Sequence, residues 1–338
     1  MKALHFTGPG HPLAAGNVPV GTLGPSDVRI RVRAAGICRS DLHYRSGFPE
    51  VVPGRVLGHE VAGDVVDVGI GCVARFVGDR VVIHYTVGCG TCRYCVSGQE
   101  RFCAAGEMVG KDRDGGYAEY VIVPERNTVR VPSMVSDGAA AIMGCSSATS
   151  LHALRKGRLS KGESVALVGV GGLGMSAIQL AFLLGASRVY AVDIDASKLA
   201  TAADLGAEPI DGRTDPAGAI RRAGGADVAI ELIGSARSMR TCLDSLNPLG
   251  RAVAVGLTPD VLSVGPYTDL VTGERELVGC SDHTAEDLQD LMGFAATGDF
   301  SVEALIGATV ALDEQPVNAV LDSLAAGTAP VRTVIVPD

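Results

Sequence analysis

Four cysteines stand at C-x2-C-x2-C-x7-C spacing in the stretch CGTCRYCVSGQERFC: Cys89, Cys92, Cys95 and Cys103. The short loops between them let four thiolates converge tetrahedrally, and four thiolates with no open position suit a structural zinc. Such a site does no chemistry and fixes a lobe of the chain. That leaves Cys38, His59 and Cys145 as metal-ligand types for a second, working metal. Two thiolates, one imidazole and a free position form the donor set of a catalytic zinc. Taken singly, each reads otherwise. A lone cysteine is usually a small buried hydrophobe, and a lone histidine a satisfied polar group.

A second chemistry is written in Gly169-Val170-Gly171-Gly172-Leu173-Gly174, a G-x-G-x-x-G pattern. It follows the strand-like SVALVG and opens an apolar helix, the context its mechanism requires. Gly169 makes the tight turn, Gly171 lets backbone approach a pyrophosphate, and Gly174 lets the helix pack on a sheet. The helix N-terminus then receives the phosphates. Asp193 ends the next strand, VYAVD, nineteen residues after Gly174. A carboxylate there binds the adenosine ribose 2′-OH and repels a 2′-phosphate, which favours NAD over NADP. Lys198 is a further ribose candidate, and equally a surface helical lysine.

These residues need elements to hold them. The first ~150 residues read as mostly β, with strand-like runs at 28–36, 60–69, 79–85 and 116–124 punctuated by Gly and Pro. From about Leu151 apolar runs alternate with helical patterns: SVALVGVG, GLGMSAIQLAFLLGA, SRVYAVDID, ASKLATAADLGA, ADVAIELIG, ARSMRTCLDSLN, GRAVAVGL. This β-α-β-α rhythm predicts a parallel sheet covered by helices. From about Thr284 come two more helices, AEDLQDLMGFAA and PVNAVLDSLAAG, and a closing strand VRTVIVP.

The chain's 338 residues allow two sizeable cores, and 47% hydrophobic with 20% charged residues is an ordinary soluble balance. A net charge of −9 makes nucleic acid or an anionic membrane surface a poor partner, which weakens a zinc-ribbon reading of the cysteine cluster. Nine cysteines, an odd number, in a long chain whose start, MKALHFTGPG, has no signal-peptide pattern point to a reducing cytoplasm. No apolar run approaches the ~20 residues that span a bilayer.

The motifs GICRSDLH, GHEVAGDVVDVG, the Cys89–Cys103 cluster, GCSSAT and GVGGLG with Asp193 occur in that order over essentially the whole chain. In this the chain resembles the zinc-dependent alcohol dehydrogenases of the medium-chain dehydrogenase/reductase superfamily. The resemblance implies an α/β architecture: a Rossmann doubly wound parallel sheet domain plus a mostly β GroES-like catalytic domain carrying the structural zinc lobe. The boundaries are 1–150 for the catalytic domain (lobe 86–104), 151–284 for the Rossmann domain, and 285–338 for a return to the catalytic domain.

It also implies roles. Residues matching Cys38, His59 and Cys145 hold the catalytic zinc, and the one matching Glu60 sits behind it as a possible alternate ligand. The residue matching Asp41 orients the ligand histidine through its other ring nitrogen. Those matching Ser40 and His43 carry the alcohol proton to solvent. Those matching Arg39 and Arg332 contact the pyrophosphate, and that matching Thr149 packs on the nicotinamide. Two zinc ions per chain and NAD are the expected cofactors. Hydride transfer between a small alcohol and NAD, giving an aldehyde or ketone, is the expected reaction.

A polyol dehydrogenase or a biosynthetic carbonyl reductase on the same scaffold is the alternative; Cys145 as third ligand argues for the alcohol dehydrogenase type. A non-catalytic regulator on this fold is the rival from another class, opposed by the intact Cys38, Ser40, His43, His59 and Cys145 set. A homodimer or homotetramer, with no nucleic-acid or membrane partner, completes the expectation. Tyr85, Leu257 and Phe48 are pocket candidates. His5, His11, His84, His152 and His283 read as structural or surface, and Cys72, Cys242 and Cys280 as free packing thiols.

Overall fold

A computed structural model describes residues 1–337. They form two compact units: residues 1–148 with the chain from His283 onward, and residues 149–282.

The first unit is built on an alternating pattern. In the strand Asp27–Gly36, Val28, Ile30, Val32 and Ala34 are buried while Arg31 and Arg33 are not, the period-2 signature of a half-buried strand. It is the hub of a seven-stranded sheet in the order 306–311, 332–336, 27–36, 60–68, 80–83, 128–130, with Tyr120–Pro124 pairing along the same hub strand. The hub runs antiparallel to Glu60–Val68, with Gly36 opposite Glu60. It also runs antiparallel to Arg332–Val336, with Gly36 opposite Val334. Leu4, Phe6, Ile30, Leu57, Ile83 and Tyr117 are fully buried in this unit's core.

The run 116–124 reads as one strand in the sequence, but only Tyr120–Pro124 is strand. The amides of Gly115, Gly116 and Tyr117 donate instead to the carbonyls of Val56, Gly58 and Leu57 at 2.8–2.9 Å. The segment is spent on fixing the chain just before His59. Likewise, 79–85 divides into Arg80–Ile83 and the short Thr86–Val87.

The second unit is a six-stranded parallel sheet in the order 208–211, 188–193, 164–168, 226–231, 246–254, 276–279. Numbered along the chain this is 3-2-1-4-5-6, the doubly wound order whose reversal point lies beside the first strand. Val165–Val168 and Val228–Glu231 are continuously buried, as strands covered on both faces must be. Truncating Leu167 or Ile230 to alanine there would cost about 2–5 kcal/mol. Among the described residues no helix is long and apolar enough to cross a membrane.

Candidate metal and cofactor sites

Cys38 sits at the start of the helix Arg39–Ser46, directly after the hub strand. His59 immediately precedes the strand Glu60–Val68. Cys145 lies in a π-helical turn, Met143–Ser147, the widened kind of turn that recurs at functional sites. One ligand atom from each of Cys38, His59, Glu60 and Cys145 lies within 4.8 Å of the others, and all four residues are buried. Neither ring nitrogen of His59 has a hydrogen-bond partner, although the residue is only 1% exposed. A buried, unsatisfied imidazole nitrogen beside two sulfurs is costly unless a cation takes it up. The donor set therefore fits a zinc ion.

The electrostatics agree. The Cys145 thiol bonds to Cys38 and holds it well below an ordinary thiol, against the effect of burial. Cys145 is correspondingly pushed up by Cys38 and by burial. Burial disfavours imidazolium at His59, but Asp41 and Cys38 outweigh it and raise the group. Burial raises Glu60 to about 7, with Arg332 pulling the other way.

Around this group the chain builds a second layer. Asp41 is fully buried. Its Oδ2 accepts the Cys38 amide at 2.8 Å and the Tyr117 hydroxyl at 2.7 Å, while its Oδ1 faces His59 Nδ1 at 3.6 Å. Arg332, expected from the resemblance at the cofactor pyrophosphate, is 4% exposed and ion-paired with Glu60, itself fully buried. The Tyr85 ring meets the His59 ring edge-on at 5.1 Å, and Cys145 Sγ lies 3.9 Å from its hydroxyl. Ser40 Oγ is 3.7 Å from Cys38 Sγ, and His43, half-buried, lies one turn further along the same helix. Arg39 and Phe48 are exposed, and Leu257, in the other unit, is 58% exposed.

Cys89, Cys92, Cys95 and Cys103 also bring their sulfurs within 4.8 Å of one another. Cys92 and Cys95 Sγ are 3.5 Å apart, and the amides of Cys89 and Cys92 donate to Cys103 and Cys89 Sγ at 3.3 Å. Backbone and side-chain bonds from Thr91 lower Cys89 to about 5. Thiolates held ready in this way suit a closed zinc site. All nine cysteines are free of disulfides.

In the second unit, the Gly-rich loop leaves the first strand at the reversal point. Gly169 takes φ 101°, a left-handed value open to glycine, and its amide donates to Val192 O at 2.8 Å. A Cβ on Gly174 would stand 2.4 Å from Gly169 O, whereas one on Gly171 would meet nothing within 4 Å. The loop thus packs tightly beneath and keeps room at the start of the helix Gly172–Leu183, which has no side-chain cap. That combination fits a pyrophosphate. Asp193 Oδ2 accepts the Val170 amide at 3.0 Å, and its Oδ1 accepts the amides of Ile194 and Asp195 at 2.8 and 3.0 Å. Lys198 is half-buried, and its amide donates to Asp195 at 3.4 Å. Thr149 is buried at the start of this unit.

Sequence reasoning missed three elements: Tyr117, the Arg332–Glu60 pair, and a chain of half-buried Glu100 with buried His84 and His283. In the last, His84 Nε2 lies 2.9 Å from Glu100 and His84 Nδ1 lies 3.1 Å from His283 Nε2. Two histidines without motif support carry no signal of their pairing.

Comparison with known proteins defines the class. The family model for the alcohol dehydrogenase GroES-like domain matches residues 24–133, and that for the zinc-binding dehydrogenase matches residues 172–297. An alcohol dehydrogenase of Geobacillus stearothermophilus is 35% identical over 85% of this chain and 86% of its own. An NAD-dependent alcohol dehydrogenase of Sulfurisphaera tokodaii is 32% identical over the full length of both. Among solved structures, the alcohol dehydrogenase TADH from Thermus sp. ATN1 superposes with a TM-score of 0.92 at 30% identity, covering 100% of both chains. The chain belongs to the zinc-dependent alcohol dehydrogenases of the medium-chain dehydrogenase/reductase superfamily.

Proposed function

We propose that Cys38, His59 and Cys145 hold a catalytic zinc and that the enzyme transfers a hydride between an alcohol and NAD, interconverting alcohol and aldehyde or ketone. The observation that carries this reading is the buried set of Cys38, His59, Glu60 and Cys145 ligand atoms within 4.8 Å. A zinc ion there supplies Lewis-acid polarisation of the substrate oxygen, and NAD supplies the hydride acceptor.

The chain's own residues do the rest. Ser40 Oγ, beside Cys38, takes the alcohol proton, and His43, on the same helix face at i+3, passes it to solvent. Asp41 orients His59 through Nδ1. Glu60, held by Arg332, is a reserve carboxylate behind the metal. The helix start at Gly171–Gly174 takes the pyrophosphate and Asp193 the adenosine ribose, with Lys198, Arg39 and Thr149 as further cofactor contacts. Cys89, Cys92, Cys95 and Cys103 hold a second, structural zinc. We assign the chain to the cytoplasm, where nine cysteines outside any disulfide persist. We also assign it a homo-oligomeric state, supported by the strand Glu276–Gly279 at the edge of its sheet.

The test is metal content with turnover. Purified protein should carry two zinc ions per chain and reduce NAD on addition of primary, secondary, aromatic or diol alcohols, followed by absorbance of the reduced nicotinamide. One zinc per chain and no alcohol-dependent reduction of NAD would support a non-catalytic scaffold. His43→Ala should slow turnover mostly below neutral pH, where the proton is harder to lose; an unchanged profile removes His43 from the relay.

A further inference from the structure

Tyr117 lies outside the metal donor set, yet the two chain segments that carry Cys38 and His59 both close on it. Its backbone is pinned from two sides: its amide donates to Leu57 O at 2.9 Å, and its carbonyl accepts the Leu4 amide at 2.8 Å. The ring is fully buried and crosses directly over residue 58. A Cβ on Gly58 would stand 2.4 Å from Tyr117 Cδ1, and Gly58 takes φ 94°. Only glycine permits both the approach and the backbone conformation. Beyond that crossing, the hydroxyl donates to Asp41 Oδ2 at 2.7 Å, with Gly36 O at 3.5 Å as a weaker second acceptor.

Asp41 spends the same Oδ2 on the Cys38 amide at 2.8 Å. Its other oxygen has no hydrogen bond and is turned to His59 Nδ1, which has none either. A buried carboxylate keeps one orientation only while its donors hold it. Of its two hydrogen-bond donors, the Cys38 amide belongs to a metal-ligand segment itself. The phenol is the independent anchor.

Resting on the reading that zinc occupies the Cys38, His59 and Cys145 set, we infer that Tyr117 is a positioning residue for that metal. Its hydroxyl fixes the Asp41 carboxylate, and Asp41 in turn holds the Cys38 backbone and aims the His59 ring. Outer partners of metal ligands are worth about 10- to 100-fold in metal affinity. Tyr117 acts one bond further out, so about 10-fold is expected.

Tyr117→Phe tests this, because it keeps the ring and deletes one oxygen. The readout is the rate at which purified holoenzyme gives up zinc to a chromophoric chelator. Cobalt(II) substitution identifies each site by its visible spectrum, since two sulfurs with one nitrogen and four sulfurs absorb differently. The expected result is about 10-fold faster loss from the Cys38–His59–Cys145 site, with unchanged loss from the four-cysteine lobe and an unchanged far-ultraviolet circular dichroism spectrum. Tyr120→Phe, three residues along, should leave both rates unchanged. In an Asp41→Asn background, Tyr117→Phe should have little further effect, as a double-mutant cycle requires of a residue acting through Asp41.

Equal rates in wild type and Tyr117→Phe overturn the inference. So does acceleration at both sites together, which reports general loosening, or a full effect retained in the Asp41→Asn background. Wild-type protein that binds zinc only in the lobe would instead overturn the underlying metal assignment.

Discussion

Arg332 and Glu60 form an ion pair sealed inside the catalytic unit, the arginine 4% and the glutamate 0% exposed. They sit on strands that flank the hub strand on its two sides, so 272 positions of sequence close on one contact. Breaking a buried pair by removing one partner is worth about 3–5 kcal/mol, because it strands the other charge. Arg332→Met should therefore shift chemical unfolding by about that amount. Adding Glu60→Gln should recover a large share, since no carboxylate is left unpaired. Equal losses in the single and double variants would show that Arg332 contributes through packing instead.

Asp193, proposed above for the adenosine ribose, already accepts three backbone amides, one of them from Val170 in the Gly-rich loop. Asp193→Asn keeps the shape but removes the charge that repels a 2′-phosphate. KM for NAD should rise about 10-fold or more, the usual weight of a hydrogen bond to a charged group, while KM for NADP falls. Parallel steady-state measurements with both cofactors decide it. A wild type that already uses NADP equally well removes Asp193 from the discriminating position.

The legibility of this site in the sequence follows its locality. The Gly169–Gly174 loop and Asp193 are readable because strand, turn and helix are contiguous, and each glycine answers a local constraint. Cys38, His59 and Cys145 are far apart but chemically distinctive, so donor type stood in for proximity. Tyr117 had neither advantage. It sits in a run that reads as strand, and its amide leaves the expected ladder to bond Leu57. The Arg332–Glu60 pair depends on sheet order and the Glu100–His84–His283 chain on how non-strand segments fold together, neither of which residue spacing encodes.

The cofactor unit should show a graded acid sensitivity centred on Glu163. Its carboxylate takes Arg251 Nη1 and Nη2 at 2.9 and 2.8 Å. Arg251 outweighs burial and holds it below the ordinary value of 4.5. A depressed carboxyl pKa contributes stability that is complete above the unfolded value and is lost as pH falls through the folded one. Glu163→Gln should cost about 1–2 kcal/mol at neutral pH, given that the side chain is partly exposed. The gap from wild type should close as pH falls below 4.5. Urea unfolding of both proteins across that range measures it, and a gap independent of pH would deny the ionic origin.

The four-cysteine lobe is tied to the Cys38–His59–Cys145 cluster through aromatic contacts. Glu100, between Cys95 and Cys103, reaches His84 at 2.9 Å, and His84 bonds His283 at 3.1 Å. Both histidine rings lie near Tyr85, at 6.1 and 5.1 Å between centroids, and the Tyr85 ring also meets His59 edge-on at 5.1 Å. Burial works to raise Glu100, but His84 and backbone amides outweigh it and hold the carboxylate ionised. Glu100→Gln keeps the side-chain shape but removes the negative charge 2.9 Å from His84 Nε2. The lobe's hold on His84 weakens, and Tyr85 loses a fixed backing. The variant should bind zinc at the four cysteines normally, because no sulfur has moved, yet show a raised KM for alcohol with NAD affinity unchanged. Zinc content together with separate KM values for alcohol and NAD distinguishes this from collapse of the lobe, which would lower the zinc count as well.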